Sequence, residues 1–336
     1  AMAKELEAAG AHILGVKDMA GLLKPAAATA LFTALKDEID IPIHFHTHDT
    51  SGISAASVLA AVDAGVDAVD AAMDAFSGST SQPCLGSIVS ALANTPRDPG
   101  LDIAAVREIS NYWEAVRGQY AAFESGLEAP ASEVYLHEMP GGQFTNLKAQ
   151  ARSLGLEERW HEVAQAYADV NLMFGDIVKV TPSSKVVGDM ALMMVSQDLT
   201  VADVENPAKD IAFPDSVVSM LKGDLGQPPA GWPAGLQKKA LKGDAAYTVR
   251  PGALLEDANL DALRKELAEK LDRDVSEFEF ASWLMYPKVF TDFALASEDY
   301  GPVSVLPTPV YFYGIEPEQE IFVDLEKGKT LVIRCL

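Results

Sequence analysis

The first hundred residues alternate between short apolar runs and longer amphipathic ones, and this alternation points the chain toward a parallel β/α architecture. Residues 11–16 read as an apolar strand. Residues 22–39 read as a helix with Pro25 near its start, where a missing N–H costs little. Residues 41–45 form the next strand, 53–64 a helix rich in alanine and valine, and 66–73 a third strand. After the Ser77-Gly78-Ser79-Thr80 turn a helix runs through Leu92. Repeated strand–helix units joined by short loops imply parallel strands with helical crossovers, in an open sheet or a closed barrel. A (β/α)8 barrel takes eight such units and about 250 residues. Three are legible, so the expected fold is α/β, and if the sheet is a TIM (β/α)8 barrel, residues 1–95 are its C-terminal part and the other units lie upstream of Ala1.

From about Pro96 the pattern changes. Residues 103–123, 157–173 and 260–271 are amphipathic helices. The loops between them are rich in Gly and Pro, as in Met139-Pro140-Gly141-Gly142-Gln143. Residues 96–300 therefore read as a mostly helical subdomain. Residues 310–313, 320–325 and 330–333 are β-like, with a turn at Lys327-Gly328-Lys329, so 301–336 reads as a short β-rich segment. The run 1–9 is a charged, alanine-rich helix closed by Gly10 but lacking an N-cap, and the strand at 331–333 has no turn after it. Both ends give the expectation of an internal piece of a longer protein.

The chain has 336 residues with 26 basic against 49 acidic, a net charge of −23. That balance argues against nucleic acid or an anionic membrane as a partner. No apolar run approaches the roughly 20 residues of a membrane-spanning helix. The two cysteines, Cys84 and Cys335, stand in no metal or redox spacing, which points to a reducing compartment and a cytoplasmic protein.

Chemistry collects at the C-terminal strand ends of α/β folds. Lys17 lies at the end of the first strand, and His46 and His48, in His44-Phe45-His46-Thr47-His48-Asp49-Thr50, at the end of the second. Two residues apart on a strand, His46 and His48 share a face. Two imidazoles and a lysine suggest a metal centre, provided the lysine loses its charge; carboxylation to a carbamate removes it and adds an oxygen ligand. The plain alternative is a lysine snorkelling at a strand end or paired with Asp18. His44 lies deeper on the same face and reads as core or as support for a ligand. Asp49 reads as an orienting partner for an imidazole or as a helix cap. In Lys179-Val180-Thr181-Pro182-Ser183-Ser184-Lys185, the three hydroxyls either cap a helix or line the end of a polar ligand site. Gly141-Gly142 and Gly328-Lys329-Thr330 lack the spacing of nucleotide loops, so these residues do not handle ATP.

Four stretches together closely resemble the carboxyltransferase domains of the pyruvate carboxylases. They are Gly15 through Pro25, His44 through Gly52, Met139 through Leu147, and Lys179 through Asp189. The resemblance runs the length of the chain. These motifs are shared with oxaloacetate decarboxylase α subunits and a transcarboxylase subunit, so a fragment of either is an alternative. The end of the chain, with Tyr311-Phe312-Tyr313-Gly314, looks like the start of the allosteric, tetramer-linking domain of pyruvate carboxylase. The resemblance implies a divalent metal, zinc or manganese, on a carboxylated Lys17, His46 and His48, with an aspartate upstream of this chain completing the set. It implies Thr181 as proton shuttle between pyruvate and biotin, and Ser184 lining the biotin pocket. The implied reaction moves a carboxyl group from carboxybiotin to pyruvate, giving oxaloacetate. Biotin sits on a carrier domain and ATP is used at another domain, both outside this chain, within a homotetramer. A reading of another class is a metal-stabilised scaffold that serves assembly.

Overall fold

The computed structural model describes residues 1–124 and 129–336. By compactness they fall into two units, residues 1–118 with 123–253, and residues 119–122 with 254–336.

The first unit opens with α1 (Met2–Ala8), β1 (Leu14–Asp18), α2 (Pro25–Lys36), β2 (Ile43–Thr47), α3 (Ser54–Asp63), β3 (Ala68–Val69) and α4 (Leu85–Leu92). The three strands lie side by side in sequence order and are parallel. Pairing sets Leu14 beside Ile43, Val16 beside Phe45 and Lys17 beside His46. Because side chains alternate along a strand, Leu14, Ile43 and Phe45 share one face and are buried with Ala28 and Phe32 of α2 and Val58 of α3. The other face carries Gly15, Lys17, His44 and His46. The strand expected over 66–73 is shorter than its apolar run. After two ladder residues Asp70 donates its N–H to the Phe45 carbonyl, and the chain then makes only an isolated bridge from Ala72 to Cys84.

The helices that follow are α5 (Ile103–Arg117), α6 (Val134–His137), α7 (Gly141–Ser153), α8 (Trp160–Met173), α9 (Ser183–Ser196), α10 (Val201–Glu205), α11 (Asp215–Lys222) and α12 (Ala234–Leu241). The helix expected over 103–123 ends at Arg117 and continues as a 3-10 turn through Phe123. The α7, α8 and α9 helices bury Leu147, Tyr167, Val170 and Met190 in a second core.

The second unit contains α13 (Leu260–Leu271), α14 (Glu277–Met285), α15 (Pro287–Tyr300), α16 (Thr308–Tyr313), and the antiparallel pair β4 (Glu320–Glu326) and β5 (Lys329–Arg334). Leu267, Phe280 and Trp283 form its core. Residues 310–313 are helical, not β-like as their aromatic content suggests. Pro309 sits in the first turn of α16, where its fixed φ suits a helix. Tyr313 then donates its hydroxyl to the Gln119 carbonyl and accepts from the Ala122 N–H, a contact far away in sequence. The hairpin at 320–334 forms as expected.

Phe32 and Phe45 join α2 to the sheet: both are fully buried, with ring centroids 4.9 Å apart. Phe32→Ala should cost about 3–5 kcal/mol, read as a lower denaturant midpoint.

Candidate metal centre

Lys17, His46 and His48 come together because the ladder and one loop place them. Lys17 and His46 are partners in the parallel register, so their side chains leave the same face. His48 follows the last residue of β2 and is held by its N–H to the Asp18 carbonyl. Asp18 does not pair with Lys17. Its carboxylate accepts the Leu22 and Leu23 N–H groups, each at 2.9 Å, and the Thr47 hydroxyl at 3.0 Å. This ties the loop after β1 to the end of β2. Gly21 lies against the His48 carbonyl so closely that a side chain would collide with it, and its φ of +71° favours glycine.

Each ring has one nitrogen occupied. His46 donates from Nδ1 to Asp70 Oδ2 at 2.7 Å, and His48 donates from Nδ1 to the Thr80 carbonyl at 2.6 Å. A carbonyl or carboxylate only accepts, so both hydrogens sit on Nδ1. The two Nε2 atoms then face each other at 3.2 Å. In neutral rings these are two lone pairs with no hydrogen between them, an arrangement that calls for a shared proton or a cation. Tetrahedral bonds of zinc length place two nitrogen ligands about 3.3 Å apart, which matches. Burial holds His48 below its usual pKa, aided by the neighbouring charges of His46 and Lys17 and opposed by the Thr80 carbonyl and Asp18. The neutral imidazole that a metal needs is thereby favoured. Among the described residues no group of three or more His, Cys, Asp or Glu side chains gathers for a metal. Two imidazoles are a partial set, and Lys17, beside them, supplies an oxygen only as a carbamate.

Three contributors were not singled out in the sequence: Asp70, Thr80 and Gly141. Asp70 is a carboxylate in an otherwise apolar run, and that was its available signal. Thr80 acts through a backbone carbonyl, which no residue type announces. Gly141 opens α7 with its N–H on the Met19 carbonyl. A Cβ there would fall 2.5 Å from His48 Nδ1 and 2.6 Å from the Thr80 carbonyl oxygen. Only glycine lets α7 close over that hydrogen bond.

The secondary candidates resolve differently. His44 is not core: its side chain is 40% exposed and its Nε2 donates to Asp70 Oδ1 at 2.7 Å. Asp49 accepts the Ser54 N–H at 3.0 Å at the start of α3, which is capping, and burial raises its pKa against that bond. In the hydroxyl cluster, Ser183 ties its own turn through the Val178 and Val180 carbonyls and caps nothing in α9. Lys185 pairs with Asp189 at 2.6 Å. Thr181 is exposed, and Ser184 is buried in the first turn of α9. A cleft of about 500 Å³ has Lys17 to Ala20 on one side and Asp176 to Val180 on the other, so the Thr181 segment faces the strand end that carries Lys17. Lys179, which also lines the cleft, donates to Glu138 Oε2 at 2.8 Å.

His137 braces the turn that leads into Gly141, its Nδ1 accepting the Met139 N–H at 3.0 Å. Burial pushes its pKa down to about 4, against the pull of Glu133 and Glu138. The folded state therefore binds fewer protons than the unfolded state between about pH 6.5 and 4. Stability should be fully present above that window and fall through it by about 3 kcal/mol as pH drops. Urea unfolding across pH 4–7 should show a shallower fall in His137→Asn than in the parent.

A conserved carboxylase domain family matches residues 134–334, and an HMGL-like family matches residues 1–112. The chain is 52% identical over 335 residues to pyruvate carboxylase of Bacillus subtilis, and 48% identical over 333 residues to that of Staphylococcus aureus. These alignments take in 100% and 99% of this chain and 29% of each relative. The chain thus spans less than a third of the length of these relatives. The solved carboxyl transferase domain of Rhizobium etli pyruvate carboxylase is 77% identical and superposes with a TM-score of 0.95 over 98% of this chain and 56% of that one. The same domain has been solved with pyruvate and biocytin, again at a TM-score of 0.95 and 77% identity, over 98% of this chain and 56% of that one.

Proposed function

The chain belongs to the conserved carboxylase domain family and matches the carboxyltransferase region of pyruvate carboxylases, and on that premise we propose that it contributes part of a site transferring a carboxyl group from carboxybiotin to pyruvate. The observation that carries the proposal is the convergence of the His46 and His48 Nε2 atoms at 3.2 Å, with both Nδ1 atoms already bonded.

His46 and His48 would hold a divalent metal, zinc or manganese, through Nε2, and Lys17 would add an oxygen once carboxylated. When bound, the metal would supply Lewis acidity beside pyruvate. The protein's own groups do the rest. Asp18 and Gly21 keep the loop after β1 folded so that Lys17 and His48 stay together. Thr181, exposed next to the cleft that Lys17 lines, would carry a proton at Oγ1. The pyruvate methyl carbon gives up that proton as it gains the carboxyl group, and the biotin ring takes the proton as it loses the carboxyl group. Ser184 would form the inner wall of the biotin end.

The names of the relatives favour this reading over a decarboxylase or transcarboxylase fragment, and the paired Nε2 atoms favour a metal-dependent site over an assembly scaffold. In this reading residues 1–95 supply βα units of the barrel, 96–300 the helical subdomain, and 301–336 the start of the allosteric, tetramer-linking domain. The HMGL-like match over 1–112 supports the first of these. Biotin on a carrier domain, ATP chemistry elsewhere and a homotetramer complete the proposal. The two unpaired cysteines support a cytoplasmic setting, and among the described residues no helix is long and apolar enough to cross a membrane.

In the full-length protein, Lys17→Ala should lose most bound metal and nearly all carboxyl transfer, because alanine forms no carbamate. Full metal occupancy in that variant, measured by elemental analysis, would remove Lys17 from the site. Thr181→Ala should keep its metal and the ATP cleavage at the separate carboxylase site, yet lose oxaloacetate formation by about 100-fold or more, the scale of a lost proton-transfer group. Near-normal oxaloacetate production would refute the shuttle.

A further inference from the structure

Asp70 is bonded to two histidines at once. Its Oδ1 accepts from His44 Nε2 and its Oδ2 from His46 Nδ1, each at 2.7 Å. Its backbone is fixed as well, through its N–H to the Phe45 carbonyl of the strand that carries both rings. His44 and His46 stand on one face of β2, so the carboxylate spans them along the strand and neither of its oxygens is idle. Burial pushes the Asp70 carboxyl up, but the bonds from His44 and His46 outweigh this and hold it below its ordinary value. Both of its oxygens accept from ring N–H groups, so the geometry leaves no place for a proton on it.

We infer that Asp70 is a positioning residue for the metal centre and that His44 is the anchor that aims it, neither of them touching the metal. The inference rests on the reading that His46 and His48 ligate through Nε2. A carboxylate on Nδ1 fixes the tautomer, stops the ring from turning over and makes Nε2 a stronger donor. His48 has only the neutral Thr80 carbonyl at the same position. The two ligands are therefore unequal, and Asp70 makes His46 the stronger one. His44 sets the carboxylate angle: without its bond to Oδ1, the Asp70 side chain gains a free rotation that the bond to His46 alone does not prevent. This gives His44 a role that packing would not.

The test uses the full-length protein with zinc as the probe and chelator competition as the readout. Asp70→Asn should weaken zinc binding by about 10–100-fold, the range for such outer partners. His44→Phe should weaken it less, by about 3–10-fold, as a fraction of that range. Asp49→Asn, which alters an acid next to His48 that bonds only a backbone N–H, should leave it within about twofold on the same scale. The 15N shifts of the metal-free protein should show a single Nδ1–H tautomer at His46 in the parent and a mixture in Asp70→Asn, which loss of packing alone would not produce. Zinc binding unchanged in a folded Asp70→Asn overturns the inference and leaves the two-histidine reading standing. A parent that binds no zinc overturns both. Should Asp70→Asn fail to fold, His44→Phe carries the test, and unchanged zinc affinity there overturns the inference.

Discussion

The parallel pairing of β1 with β2 is the constraint on which the candidate centre depends. It is a backbone interaction, indifferent to side chains, yet its register decides that Lys17 stands beside His46 and Asp18 beside Thr47. A slip of one residue would turn Lys17 into the core and Val16 out of it. Burial of Leu14, Ile43 and Phe45 on the opposite face prevents that slip. The apolar face thus holds the polar face in place, and the chemistry is carried on a register that hydrophobic packing enforces.

From that ladder the site is built outward by groups that each satisfy a backbone or ring donor. Asp18 gathers two N–H groups and the Thr47 hydroxyl, which is why the residue next to Lys17 serves the loop instead of the lysine. Asp70 gathers two imidazoles, and the Thr80 carbonyl a third. Residues after α5 then close the arrangement from a distance. Gly141 brings the start of α7 against His48, Thr145 reaches the Thr80 hydroxyl at 3.1 Å, and the Lys179–Glu138 pair holds the segment before Thr181 to the turn before Gly141. Residues far apart in sequence meet at one end of a three-stranded sheet because glycine there leaves room for a hydrogen bond.

Several elements show how far local pattern reaches. The βα units were legible because apolar alternation and helix period are properties of a few consecutive residues. Their edges were not: residues 66–73 pair over only two positions before the chain leaves the ladder. Residues 310–313 carry β-forming aromatics but coil into a helix, started by Pro309 and kept by Tyr313 on the distant backbone of residues 119–122. His44 lies deeper in its strand and so reads as core or as support for a ligand, and it donates to a carboxylate 26 residues away.

The sequence by itself determined the residue types and their periods: three strand–helix units, a His-x-His at a strand end, a lysine at its neighbour, and an acidic chain without a nucleotide loop. Those are consequences of spacing along the backbone, which the sequence contains directly. Tertiary structure alone decided which nitrogen of each ring is free, that Asp70 spans two histidines, that the Thr80 carbonyl fixes the third, and that Gly141 has no room for a side chain. Each of these depends on distances between groups far apart in sequence, 24 residues for His46 and Asp70 and 32 for His48 and Thr80, and such distances exist only after the cores have packed and set the register.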